Sequence, residues 1–197
     1  MSSAAHQEGL NVSSPISSPP DPIDAFGLDL DGVESSYRGA NLGFLLYGLV
    51  RSHAPRVVVE LGTYRGYSAL HFAAALRDNA DSSTRLHLID LWSGYPYRHC
   101  SMETTRSTFR RNGLLNLPNC AISLEEGDAF ESYAGFEDET IDFLHIDVSN
   151  TGDNLKQLLK CWAPKMRRMP NSLIVIEGGS AERDQICLLY TSPSPRD

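Results

Sequence analysis

Short apolar runs in this chain each end on a carboxylate or a glycine turn, and those residue types fit one kind of chemistry. V-V-V-E-L-G-T-Y-R-G brings Glu60, Gly62 and Gly66 together, L-H-L-I-D ends on Asp90, and E-G-D-A-F holds Asp128. H-I-D-V-S-N holds Asp147, and V-I-E-G-G-S holds Glu177. A glycine just past an apolar run lets the backbone approach a ligand closely. A second glycine that opens a helix presents free N–H groups, which favour a carboxylate or phosphate. Asp90 begins its turn at the spacing past the glycines where an acidic side chain accepts hydrogen bonds from ribose hydroxyls. Asp128 has the acceptor an exocyclic amine such as that of adenine requires. Asp147 and Glu177 could share one cleft, where they would bind a divalent cation, act as a base or orient a substrate hydroxyl. The glycines read G-x-x-x-G, not the G-x-G-x-x-G of dinucleotide binding, which counts against a nicotinamide cofactor.

Elements that can hold these residues alternate along the chain. The stripe Leu42, Leu45, Leu46 and Leu49 predicts a helix over Tyr37–Ser52. Strands are predicted at Arg56–Leu61, Arg85–Ile89, Ala121–Glu125, Ile141–Ile146 and Ser172–Ile176. Helices are predicted at Ser68–Leu76, at Thr104–Leu115 closed by Gly113, and at Asn154–Trp162, where Leu155, Leu158, Leu159 and Trp162 share a face. Alternation at this spacing implies an α/β, Rossmann-like, doubly wound and mostly parallel sheet. Ligands of such folds sit beyond the carboxyl ends of the strands, where the strand order switches. His145, inside an apolar strand, reads as structural.

Composition narrows the partners. Over 197 residues, 41% are hydrophobic and 21% charged, as expected for a globular domain with its own core. The net charge of −8 argues against a broad nucleic-acid or anionic-membrane surface, and no apolar run is long enough to span a bilayer. The four cysteines, at 100, 120, 161 and 187, have neither paired nor zinc-knuckle spacing, so no metal knuckle and a reduced, cytoplasmic protein are expected. Residues 1–24 are rich in Ser and Pro and read as a disordered tail, leaving a core at 25–186. The last eleven residues, C-L-L-Y-T-S-P-S-P-R-D (187–197), look like a translated transposase-type sequencing adaptor. The expected sheet is therefore truncated after the fifth strand, leaving that strand as an exposed edge.

Taken in order, V-V-V-E-L-G-T-Y-R-G, L-H-L-I-D, E-E-G-D-A, I-D-F-L-H-I-D and L-I-V-I-E-G-G-S resemble the class I S-adenosylmethionine-dependent methyltransferases. The nearer resemblance is to the branch with small-molecule O-methyltransferases and cephalosporin-hydroxylase-like proteins. It implies methyl transfer to a small-molecule acceptor, most simply at a hydroxyl oxygen. It also implies that Glu60, Gly62 and Gly66 line the methionine part of the cofactor and that Asp90 holds the ribose. Asp128 with Ala129 would recognise adenine, Thr63 and Leu91 would be flanking cofactor contacts, and Asp147 would lie next to the transferring methyl. Two departures matter. I-D-V-S-N lacks the histidine that often follows I-D-G in this branch, and Glu177-Gly178 lacks the paired ligands of metal-using relatives. Both count against a histidine base and a bound divalent cation. The alternatives are a non-catalytic nucleoside-binding module and, less well supported, an NAD-dependent oxidoreductase. Oligomeric state is not legible.

Overall fold

Val57–Leu61 is buried along its whole length, as the apolar run V-V-V-E-L requires, and becomes the central strand β1 of a five-stranded sheet. In the computed structural model, residues 23–79, 83–94, 100–148, 152–168, 170 and 172–177 are described. The adaptor-like end and all of the expected tail except its last two residues fall outside them. Those two, Ile23 and Asp24, begin a short helix α1, Ile23–Phe26. The other strands are β2 (Thr84–Asp90), β3 (Cys120–Glu126), β4 (Phe143–Ile146) and β5 (Leu173–Ile176). All pairings are parallel, in the order β3-β2-β1-β4-β5. The order reverses between β1 and β4, which makes their carboxyl ends the switch point. No helix among the described residues is long and apolar enough to cross a membrane.

Helix α2 (Leu42–His53), α3 (Tyr67–Asp78) and α4 (Met102–Arg111) cover one face, and α5 (Gly152–Trp162) covers the other. Residues of alternating parity sort between the two layers, as strand geometry demands. Val58, Leu86, Leu88 and Phe143 pack with Leu46, Leu70 and Phe72, whereas Val59, Leu61, Leu144 and Ile146 pack with Leu158 and Trp162. Two predicted helix limits shift. The helix expected from Tyr37 begins only at Leu42, because Asn41 takes a left-handed conformation (φ 52°) that Asn tolerates better than most residues. The helix expected over Thr104–Leu115 runs from Met102, capped by the Ser101 hydroxyl accepting from the Thr104 amide at 3.2 Å, and ends before Gly113 (φ 67°).

Ahead of α2, Gly27–Asn41 forms a strap without regular structure that buries Leu28, Leu30, Val33 and Tyr37. Polar side chains from the sheet's helical layer hold its backbone. The Arg111 guanidinium donates to the Asp31 carbonyl at 2.7 Å, Asn112 donates to the Asp29 carbonyl at 3.0 Å, and Arg65 donates to the Gly32 carbonyl at 2.9 Å.

Candidate functional site

The strand tips are laced into one edge by backbone hydrogen bonds. Gly127 N–H donates to the Asp90 carbonyl (3.0 Å), Gly62 N–H to Ile89 (2.9 Å), Asp147 N–H to Leu61 (2.8 Å) and Glu177 N–H to Ile146 (2.9 Å). The residues singled out at the five turns therefore stand side by side along the carboxyl edge. Asp128 follows Gly127, Asp90 is next, the Gly62–Gly66 turn is central, and Asp147 and Glu177 complete the row.

The glycine turn owes its shape to its neighbours. Gly62 has φ +89°, and a Cβ there would overlap the Asp147 carbonyl oxygen and lie 2.8 Å from its carbon. Only glycine allows β1 and β4 to converge this closely at the switch point. At Gly66 (φ +84°) a Cβ would lie 3.0 Å from Thr105 and 3.3 Å from Phe109, so this glycine seats α3 against α4. The Asp90 carboxylate braces the same turn, accepting from Tyr64 N–H at 2.7 Å and from Trp92 N–H at 2.6 Å. Burial pushes its carboxyl above the usual carboxylate range, and the Tyr64 and Trp92 amides pull against that shift. The two carboxylate oxygens together offer four acceptor sites, so these two bonds leave acceptor capacity on the group.

Beneath the turn lies a buried polar group. Register pairs Glu60 with His145 on the same sheet face, and His145 Nδ1 meets Glu60 Oε1 at 3.0 Å. The Ser68 hydroxyl, from the first turn of α3, donates to the same oxygen. Glu60 is 0% and His145 1% exposed. The His145 ring packs edge-on against Phe72. His145 therefore takes the structural role expected of it, and Glu60 commits one of its two oxygens to the core. Glu60 Oε2 and the Thr63 hydroxyl are buried without a hydrogen-bond partner among the described residues. Unsatisfied buried acceptors and donors of this kind cost about 1–3 kcal/mol each, which a ligand with complementary groups relieves. One anionic acceptor and one hydroxyl donor fit the ammonium and the carboxylate of an amino-acid moiety.

The remaining predicted contacts are placed unequally. Leu91, beside Asp90, is 37% exposed, a large apolar side chain at the mouth. Asp128 Oδ1 accepts from Phe130 N–H at 2.8 Å, which shapes its own turn. Ala129 is buried, and its carbonyl accepts from Trp162 Nε1–H at 2.8 Å, so that oxygen serves the core. Asp147 and Glu177 are half-buried, and the charges of both act on one buried group that sequence reasoning missed, Tyr37. Burial raises the phenol far above its ordinary pKa, and the charges of Asp147, Glu177 and Glu60 raise it further, so it stays protonated. Tyr37 stands 110 positions before Asp147, and no local pattern signals that effect.

Comparison with known proteins follows the same outline. A family model described as "Methyltransferase domain" matches residues 59–177. The curated protein y4gI of Sinorhizobium fredii, itself uncharacterised, is 28% identical over 128 residues, covering 64% of this chain and 13% of its own length. Among solved structures, an SAH-bound methyltransferase of Podospora anserina superposes with a TM-score of 0.57 at 20% identity, over 81% of this chain and 62% of that one. A methyltransferase of Geobacter sulfurreducens gives 0.52 at 26% identity, over 75% and 73%. An O-methyltransferase of Bacillus cereus in complex with SAH gives 0.55 at 24% identity, over 87% and 68%. The chain thus spans only a small part of the curated protein and under two thirds of the Podospora structure.

Proposed function

The chain belongs to the methyltransferase-domain family, and from that premise we propose that it transfers the methyl group of S-adenosylmethionine to a hydroxyl of a small molecule, as a cytoplasmic enzyme. The observation that carries this reading is the laced edge of strand tips, which sets the acidic and glycine positions side by side in the order such a cofactor would need. Solved neighbours carrying SAM or SAH support the cofactor's identity. When bound, the cofactor supplies an electrophilic methyl on a positively charged sulfur.

Everything else is work for the chain. Glu60 Oε2 and the Thr63 hydroxyl take the amino-acid end and so gain the partners they lack. Asp90 uses its remaining acceptor sites for the ribose hydroxyls while it keeps hold of the Tyr64 and Trp92 amides. Asp128 accepts from the adenine amine, and exposed Leu91 packs beside it. Alignment and removal of water supply most of the rate enhancement in such a displacement, and a carboxylate removes the acceptor's proton. Asp147 and Glu177 are the two carboxylates available for it.

Calorimetric titration with S-adenosylhomocysteine tests the reading. Micromolar binding that weakens at least tenfold in Asp90→Asn, with the fold retained by circular dichroism, is the expected result. A folded protein that does not bind S-adenosylhomocysteine would overturn it, and binding of NAD instead would favour an oxidoreductase.

A further inference from the structure

We infer that His145 is a positioning residue that, together with Ser68, holds the Glu60 carboxylate with its second oxygen turned to the amino-acid end of the cofactor. The inference rests on the function proposed above and gives a core histidine a part in selecting that ligand.

Sheet register makes the pair. Glu60 lies opposite His145 on β4 and opposite Leu88 on β2, so of its two register partners only the imidazole can donate to its carboxylate. Nδ1 of His145 stands 3.0 Å from Oε1, and the Ser68 hydroxyl, from the first turn of α3, donates to the same oxygen. A carboxylate offers about four acceptor sites, so two donors on Oε1 leave the free ones on Oε2. Neither donor is loose. The His145 ring packs edge-on against Phe72, with centroids 5.3 Å apart, and lies 6.2 Å from the Tyr37 ring. Ser68 is buried and carried by α3, which packs against the sheet. A carboxylate gripped at one oxygen by two fixed donors has little freedom to turn, so the direction of the other oxygen is fixed as well. That other oxygen, Oε2, is buried and has no hydrogen-bond partner among the described residues. The Thr63 hydroxyl, in the glycine turn above it, is buried and unpartnered in the same sense. A fold that saturates one oxygen of a buried carboxylate and leaves its twin open has kept a place for a donor from outside the chain. The ammonium of an amino-acid moiety is such a donor, and the nucleoside end of the cofactor has no cation to offer there. His145 touches the carboxylate and not the ligand, and its effect passes through Glu60.

The test compares two ligands by calorimetry, S-adenosylhomocysteine and methylthioadenosine, which keeps the nucleoside and the thioether but lacks the amino-acid end. His145→Phe keeps a ring against Phe72 and removes the Nδ1 donor. It should weaken S-adenosylhomocysteine about tenfold and methylthioadenosine no more than about twofold. In a Glu60→Gln background the same change should no longer alter the ratio of the two affinities, because the histidine acts through the carboxylate. Equal weakening of both ligands, or of neither, makes His145 a packing residue and overturns the inference while the proposed function stands. A folded wild type that binds neither ligand overturns both. Should His145→Phe not fold, the unmodified protein carries the test. The Nδ1–H resonance of His145, read by NMR on isotope-labelled histidine, is expected to move on saturation with S-adenosylhomocysteine and to stay in place with methylthioadenosine. The same response to both ligands overturns the inference.

Discussion

Replacing Gly62 by alanine should separate two costs that are usually entangled. A Cβ at this position has to accept φ near +89°, which costs an L-residue about 1–2 kcal/mol. It also has to displace the Asp147 carbonyl, whose carbon would stand 2.8 Å away, and the Val148 methyl at 3.0 Å. The first obstacle is backbone inside a parallel pairing, so the neighbour cannot rotate aside, and overpacking adds about 1–3 kcal/mol. The sum is about 4 kcal/mol, a large part of the roughly 5–15 kcal/mol that holds a typical domain folded. Gly113 supplies the control. Its φ is +67°, yet a Cβ there would meet nothing within 4 Å, so Gly113→Ala should cost only about 1 kcal/mol. In urea, with a slope of about 2 kcal/mol/M, the two midpoints should fall by about 2 M and about 0.5 M respectively. Because Gly62→Ala pushes on one of the two residues proposed as base, it should also weaken S-adenosylhomocysteine binding in whatever fraction stays folded. Equal midpoint shifts for the two variants would refute the claim that β1 and β4 converge too closely for a side chain.

Other expectations follow from particular contacts. A Cβ at Gly43 would overlap the His71 ring, with Cδ2 at 2.6 Å, so Gly43→Ala should destabilise by about 1–3 kcal/mol and recover most of that in a His71→Ala background, read by a double-mutant cycle of urea midpoints. Burial lowers the His71 pKa, against the bond its Nδ1 makes to the Tyr67 carbonyl at 2.7 Å. The unfolded chain then takes up a proton before the folded one does, so the stability present above the ordinary histidine pKa should be lost as pH falls below it. Urea midpoints from pH 8 to 5 should show that acid slope, and it should flatten in His71→Phe. Ser101→Ala removes the cap of α4 and should cost about 1 kcal/mol, measured by thermal melting.

Local pattern made most of the frame legible. V-V-V-E-L and I-D-F-L-H-I are apolar almost without a break, which is how strands buried on both faces read, and both became central strands. The row of carboxylates could be read because parallel strands put every following turn on one edge. The start of α2 was misread for a physical reason. Tyr37 is buried, but it is part of the strap and not of the helix, and the left-handed turn at Asn41 leaves only a weak signal. Glu60 reads as a cofactor-lining residue because its neighbours are glycines, and nothing local shows that it is also buried. Its burial depends on strand register, which pairs it with His145 across 85 positions, and no window of sequence contains both. The charge of Asp147 acts on Tyr37 across a longer interval still. Long-range pairs of this kind define the chemistry of the site, whereas short-range periodicity defines only the scaffold.

The strand order has a consequence for how the molecule comes into being. β1, β2 and β3 are neighbours in space in the order they are synthesised, but β4 must travel back past both to lie against β1. Closing that interval carries a chain-entropy penalty before any contact repays it, so this pairing belongs to the late, slow part of folding. Until it happens, one edge of β1 is open, Glu60 lacks its histidine and Asp147 has nothing to lean on. A nascent chain that has emerged only through β3 therefore has a bare apolar edge and no reactive centre. The edge proposed to hold the cofactor is therefore the last part of this architecture to assemble. In pulsed hydrogen exchange, the amide of Asp147 should gain protection after those shared between β2 and β3.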